Sequence, residues 1–432
     1  MTHEHGSDCA SSGRCHGASS RRGLLAGAGR LALAALATPL LIPRIALARG
    51  GGGGGQDVLV NIFLRGGMDG LTLCPPYGDA NLYSARPTLA VGPPGSGTLA
   101  ALDLDGYFGL APGARGLLKP FQDGKLALVH ASGSPDPSRS HFDAMALVEH
   151  GTPQQPITTT NDGWLGRHLR NTPPLGNGLL RGLSVDWSIP LSCVGGPLMA
   201  AANDPANQPF PGDALSAGRR RRRLESMFRN ADGPMHDGAL NGLSMLDVLA
   251  TVDFKHYVPA NGAVYPGSPF GQGLLRIATL IKAAVGLEVF TLDIDGWDTH
   301  IDMGPVDGVL HTMLTDLCDS LEAFYLDLQT QMDGVVVTVM SEFGRRVAEN
   351  ASGGTDHGHG NCMIVMGGHV AGGQVLTSNW PGLDPTKLDD GDLAITIDYR
   401  DILSEILVNR LAEPNIGSVF PNFTPTFRGI TT

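Results

Sequence analysis

Apolar runs without alternation mark the strands of this chain. Asp57-Val58-Leu59-Val60-Asn61-Ile62-Phe63-Leu64 is the first, nearly continuous in its apolar character, and Lys125 to Ala131, Leu287 to Leu292, Val335 to Met340 and Cys362 to Met366 follow in the same style. A strand apolar at nearly every position has both faces buried, as in parallel sheets covered by helices on each side. Between the runs the period changes. From His311 to Gln329, the residues Leu314, Leu317, Leu321, Phe324 and Leu328 recur at spacings of three and four, the stripe of a helix packed on a core. Near the C-terminus, Leu393 to Ile397 resumes order and Asp398-Tyr399-Arg400-Asp401 opens a helix through Leu411, with Asp398 as its N-cap. Strands alternating with helices predict an α/β fold with a mainly parallel central sheet flanked by helices.

The stretch 151–285 has another texture, with proline-rich loops, helices around Leu224 to Phe228 and Met245 to Val252, and short strands around Leu183 to Val185. It is expected to be a loop-rich cap inserted over the strand ends of one domain spanning 57–432. At the other end, Ser20-Arg21-Arg22-Gly23-Leu24-Leu25 has a twin-arginine pattern, a weakly apolar stretch follows to Ile42, and Ala46-Leu47-Ala48 supplies a small-x-small cleavage site. Residues 1–48 therefore read as an export signal handled by the twin-arginine translocase, and 49–56 as a glycine-rich linker. The signal's apolar stretch is interrupted by Arg30, so no retained membrane span is expected. The mature protein would be periplasmic or secreted. His3, His5, Cys9, Cys15 and His16 precede the arginine pair and leave with the signal, so they are set aside as metal ligands.

Charge narrows the partners. The full chain has a formal charge of −12, and removing 1–48 takes away five arginines and two acidic residues, leaving 25 basic against 40 acidic side chains. Nucleic acid is not an expected partner. The one basic run, Arg219 to Arg223, is followed by an apparent helix beginning at Leu224 and reads as its solvated start, with an anion-binding device as the alternative. Cys74, Cys193, Cys318 and Cys362 are widely spaced with no CxxC, which indicates neither a zinc ribbon nor a disulfide-stapled small fold and leaves open one bridge in an oxidising compartment.

The polar residues with chemical potential fall beside the predicted strands. Asp69 lies in the glycine-rich loop after the first strand, where a carboxylate is either a hard metal ligand or a turn former. Ser138 and Ser140 precede a helix, and a serine there is an N-cap or, with His141 or a metal to activate it, a nucleophile in the positive potential of the helix start. Asp298 and His300 are two apart and share a side if extended, and a mixed carboxylate and imidazole pair suits Zn, Mn or Fe better than Ca. Glu342 follows the Val335 run as a ligand or general base, and Arg345 is placed to grip a phosphate or sulfate. Asp356, His357 and His359 crowd one glycine-rich loop, a density that points to metal.

Read together, FLRGGMDGL, SRSHFDAM, DGWLGR, GWDTH, SEFGRR, GTDHGHG, the glycine pair at Gly372 and IDYRDIL resemble the domain of unknown function 1501 family of exported bacterial proteins. The resemblance covers nearly all of the mature chain and implies an alkaline phosphatase-like fold within the alkaline phosphatase and sulfatase superfamily. It would place Asp69 at the first metal position, Ser140 or Ser138 at the nucleophile, Asp298 with His300 at the other metal, Glu342 at a further ligand position, and His357 or His359 as a late histidine. Phe343 stands where that superfamily has a histidine, and Pro135 where the sulfatase signature has its cysteine. The expectation is an exported hydrolase of phosphate or sulfate esters, small molecule or polysaccharide, using a serine and one or two divalent ions, Zn or Mn. The alternative is an exported binding or envelope protein that keeps the fold without catalysis.

Overall fold

The computed structural model describes residues 57–174, 180–208, 210, 212–229 and 233–431. The expected signal segment and glycine linker lie outside the described residues. Among the described residues nine strands form the main sheet: β1 (Val58–Leu64), β2 (Leu126–Gly133), β3 (Gly182–Ser184), β4 (Met199–Ala201), β5 (Val289–Ile294), β6 (Val335–Ser341), β7 (Asn361–Gly367), β8 (Gln374–Leu376) and β9 (Ile397–Asp398). Their spatial order is β8-β2-β7-β6-β1-β5-β3-β4, with β9 pairing the end of β2 beyond the stretch taken by β8. Around the sheet lie α1 (Gly70–Leu73), α2 (His141–His150), α3 (Trp164–Asn171), α4 (Ala217–Arg229), α5 (Pro234–Leu249), α6 (Pro269–Lys282), α7 (Val309–Leu328) and α8 (Tyr399–Arg410).

Alternation within the apolar runs builds two cores. Val60, Ile62 and Leu64 of β1, with Val335, Val337 and Val339 of β6, face α6 and α7 through Leu274, Ile277, Leu314, Leu317, Leu321 and Phe324. Leu59 and Phe63, with Val336 and Met340, face the opposite layer, where Val148 of α2, Trp164 and Leu165 of α3 and Ile402, Leu403 and Ile406 of α8 close the second core. A fully buried Leu, Ile or Val side chain contributes about 1.5–3 kcal/mol, so both layers are needed to hold a sheet with two apolar faces. The result is the α/β architecture expected, and Asp398 caps α8 by accepting from the Arg400 N–H at 2.9 Å.

The segment 151–285 contributes to the main sheet: β3, at the short strand expected around Leu183 to Val185, and β4 extend it, pairing in parallel beside β5, while α3 and α6 sit in opposite core layers. β4, three residues long, is too short for an apolar run to stand out in the sequence. The arginine run, expected to precede a helix, lies inside α4. Direction also matters. All the strands of the main sheet run the same way except β7, which is antiparallel to both β2 and β6. The loop 342–360 thus leaves the C-terminal end of β6 and enters β7 at that same edge of the sheet, beside the ends of β1 and β5.

β2 carries a bulge between His130 and Ser132, with Ala131 at φ 52°. His130 is fully buried, its Nε2 donating to the Cys74 carbonyl at 2.9 Å and its Nδ1 accepting the Ala131 N–H at 2.8 Å. Only the neutral ring can serve both partners. Burial is the main cause that holds its pKa down at about 4, against weaker upward pulls from the Cys74 carbonyl and Asp69. The folded pKa lies below the ordinary 6.5, so the contribution is complete above pH 6.5 and is lost as pH falls toward 4. At pH 5 the loss is about 2 kcal/mol. Urea unfolding of His130→Gln at pH 7.5 and pH 5 should show a smaller difference between the two pH values than the unsubstituted protein; an equal difference would remove His130 as its source.

Candidate metal centre

Four side chains from three separated segments meet at the sheet edge, and each ring is held in one tautomer by the oxygen behind it. His141, the first residue of α2, places Nδ1 2.6 Å from Glu342 Oε1. His300 places Nδ1 2.9 Å from Asp356 Oδ1. His357 places Nδ1 2.7 Å from the Arg139 carbonyl, which can only accept. Each Nδ1 therefore carries a hydrogen, and each ring turns Nε2 inward, where the neutral form presents a lone pair.

The inward atoms share one target. Asp298 Oδ1 lies 3.0 Å from His300 Nε2, 3.2 Å from His357 Nε2 and 3.3 Å from His141 Nε2. His300 and His357 bring their Nε2 atoms to 2.9 Å of each other. One ligand atom each of His141, Asp298 and His357 lies within 4.8 Å of the others. His141 Nε2 is buried and has no hydrogen bond of good geometry, despite its nearness to Asp298. Converging lone pairs and a carboxylate oxygen repel one another unless a cation sits among them, so this donor set fits a divalent ion bound by imidazole and carboxylate.

Charge at the centre is tuned by its neighbours. Partial burial opposes ionisation of Asp298, yet Arg345, His357 and His300 outweigh it and hold the carboxyl at about 2. The hydrogen bond to Glu342 raises the His141 pKa against burial, whereas burial lowers that of His357. Asn350 Nδ2, 3.0 Å from Asp356 Oδ1, and His300 keep Asp356 below the usual carboxylate range. The centre is open: the Asp298 side chain is 46% exposed and that of His300 35%. Phe343, in place of the expected histidine, is buried and packs its ring against His141 and His357 at centroid separations of 4.8 and 5.1 Å.

Glycine makes this convergence possible. A Cβ at Gly66, whose φ is +119°, would lie 2.7 Å from the Asp298 nitrogen, and one at Gly354 would lie 2.3 Å from the His300 carbonyl carbon and oxygen. Any side chain at either position would push the Asp298 and His300 loop away from its neighbours.

Several expected site residues are placed elsewhere or behind the cluster. Asp69 is the N-cap of α1, accepting from Leu71 and Thr72, and its Oδ2 is 2.6 Å from buried Arg86, so it is outside the cluster. Glu342 is a positioning group: Oε1 accepts from the Gly66 N–H at 2.9 Å as well as from His141, and Oε2 is 2.9 Å from Ser341 Oγ. Asp356 likewise orients His300. Arg345 is fully buried and donates to the carbonyls of Gly66, Gly67, Thr355 and Trp297 and to Asp298, so it is spent on protein rather than free to grip an ester. His359 sits apart, between Asp389 and the carbonyls of Ser134 and Asp136. Ser140 is exposed and caps α2, its Oγ 3.5 Å from the Asp143 nitrogen, and Ser138 Oγ accepts from the Ser140 N–H at 3.2 Å.

His141 was visible in sequence only as a possible activator of the serine. The signal available was its place as the first residue after an N-cap, where a side chain can turn toward the strand ends. Because Glu342 fixes the His141 tautomer, Glu342→Gln should weaken metal affinity by about 10–100-fold with the fold intact. Metal titration alongside thermal unfolding checks this, and unaltered affinity would reduce Glu342 to a structural tie.

Among solved structures the chain is similar to a sulfatase from Pseudoalteromonas sp., at 11% identity over 87% of this chain and 70% of that one with a TM-score of 0.35. It is also similar to an alkaline phosphatase from the Antarctic bacterium TAB5, at 10% identity over 72% of this chain and 92% of that one with a TM-score of 0.30. No curated protein matches. The profile of the family described as "Protein of unknown function (DUF1501)" matches residues 127–406, and the chain belongs to that family.

Proposed function

We propose that this protein is a metal-dependent hydrolase of phosphate or sulfate esters, acting in the periplasm or outside the cell after twin-arginine export. The observation that supports it best is the set of three inward imidazole nitrogens around Asp298 Oδ1, each ring braced from behind by an oxygen. His141, Asp298, His300 and His357 would hold one Zn or Mn ion. When bound, such an ion supplies Lewis acidity, lowering the pKa of a hydroxyl or water and offsetting the charge of the ester. One such ligand group forms among the described residues, which favours one ion over two.

The chain's own residues divide the remaining work. Ser140, exposed and adjacent to His141, is the nucleophile this reading prefers, and Ser138 holds its backbone N–H. The N-terminus of the ten-residue α2 offers unpaired N–H groups and positive potential to an anionic ester. Arg345 fixes Asp298 and the surrounding loops rather than touching the ester. A second reading, a metal-binding protein without catalysis, draws on the engagement of Ser140 Oγ as an N-cap.

Metal analysis of the purified mature protein, with turnover of aryl phosphates and aryl sulfates by Ser140→Ala, Ser138→Ala and the double variant, separates these readings. The hydrolase predicts bound metal and turnover that disappears with Ser140. Turnover unchanged in the double variant excludes a serine nucleophile, and bound metal without any turnover leaves the non-catalytic reading.

A further inference from the structure

Fourteen of the nineteen arginines among the described residues are paired with a carboxylate within 4.0 Å. The five that are not are Arg115 and four residues of one helix, Arg219, Arg222, Arg223 and Arg229 of α4. At about 100° per residue these four fall within roughly 120° of arc. Their neighbours Arg220 and Arg221, on another side, are paired with Asp213, Glu225 and Asp247. Opposite the stripe, Ala217 is buried and Leu224 packs on the main core, so the four guanidinium groups face solvent.

Unneutralised cations on one helical face cost stability, because like charges three or four residues apart, as Arg219 is from Arg222 and Arg223, repel. A chain of formal charge −12 has carboxylates to spare, and it pairs most of its other arginines with them. We propose that this face of α4 binds a polyanionic polysaccharide, one bearing sulfate or phosphate groups along its length. The assignment to sugar esters rests on the hydrolase reading above; the basic face itself does not. Arginine suits the task, since its planar fork matches the oxygens of sulfate and phosphate, and the stripe spans about 15 Å at 1.5 Å per residue. A bilayer is the weaker partner: a helix lying in a membrane interface needs a continuous apolar stripe free, whereas Ala217 and Leu224 of α4 are already used by the protein and Met227 alone among its large apolar side chains is exposed.

Dextran sulfate, with uncharged dextran as control, is the probe, and binding is titrated on metal-stripped mature protein across a range of salt. The expected result is binding to dextran sulfate alone, with affinity falling at about the third power of salt for four contacts. Combined substitution R219Q, R222Q, R223Q and R229Q should weaken binding at least tenfold and flatten the salt dependence, while R115Q leaves both unchanged. Thermal unfolding of the fourfold variant at or above that of the unsubstituted protein shows that the helix is intact. Equal binding by the fourfold variant overturns the proposal, as does affinity for single-stranded DNA or phosphatidylglycerol vesicles matching that for dextran sulfate. The assay needs neither metal nor turnover. A protein that binds the polymer but hydrolyses nothing removes only the hydrolase reading, and one that hydrolyses esters but ignores the polymer removes only this proposal.

Discussion

Asp298→Ala should release the divalent ion and abolish ester turnover, with at least a hundredfold loss of metal affinity and about a thousandfold loss of rate. Three imidazole nitrogens point at the removed oxygen, and among the described residues no other carboxylate is paired with their Nε2 atoms. Without it the rings present neutral lone pairs alone, a poorer match for a divalent cation. The effect on the fold should be small, because nearly half of the side chain is in solvent and the buried Arg345 keeps its backbone partners. Metal content and thermal unfolding in chelator therefore respond differently: the first collapses and the second moves by a few degrees at most. A variant that retains stoichiometric metal would show that the cluster is not the binding site.

Arg345→Met makes the opposite prediction, a loss of stability of at least about 4 kcal/mol, because it empties a cluster of interior hydrogen bonds. Four carbonyls, from Gly66, Gly67, Trp297 and Thr355, would lose a donor in the interior, where each unpaired group costs about 1–3 kcal/mol. Arg345→Lys should recover only part of this, since an ammonium cannot reproduce the planar fork that serves several oxygens at once. Urea unfolding measures the loss. Full stability with a raised KM for anionic esters would instead restore Arg345 as a substrate-gripping group.

That contrast shows where sequence reasoning reached and where it stopped. Runs apolar on both faces located β1, β2, β5, β6 and β7 to within two or three residues, because burial on both sides leaves a dense local signal. The stripe of α7 and the cap of α8 were legible for the same local reason. Strand direction was not: Cys362 to Met366 is equally apolar read either way, so the antiparallel course of β7 and the entry of the His357 loop before a strand rather than after one had no local mark. Nor did Asp69 announce its pairing with Arg86, seventeen residues on, or Arg345 its burial beneath two loops. His300, His357 and Asp298 were legible as chemistry, while His141 depended on the turn of a helix start that only the tertiary structure fixes.

The position of β1 in the sheet carries a consequence for synthesis. Its two neighbours are β5 and β6, and Leu64 lies opposite Ile294 on one side and Ser341 on the other. A nascent chain must therefore grow well past residue 290 before β1 gains a partner, and past 335 before both its edges are covered. Such distant pairing makes for slow, late folding, with an apolar ribbon open to aggregation in the interval. Truncations ending before β5 should accumulate as insoluble or chaperone-bound chains, however complete their local helices are.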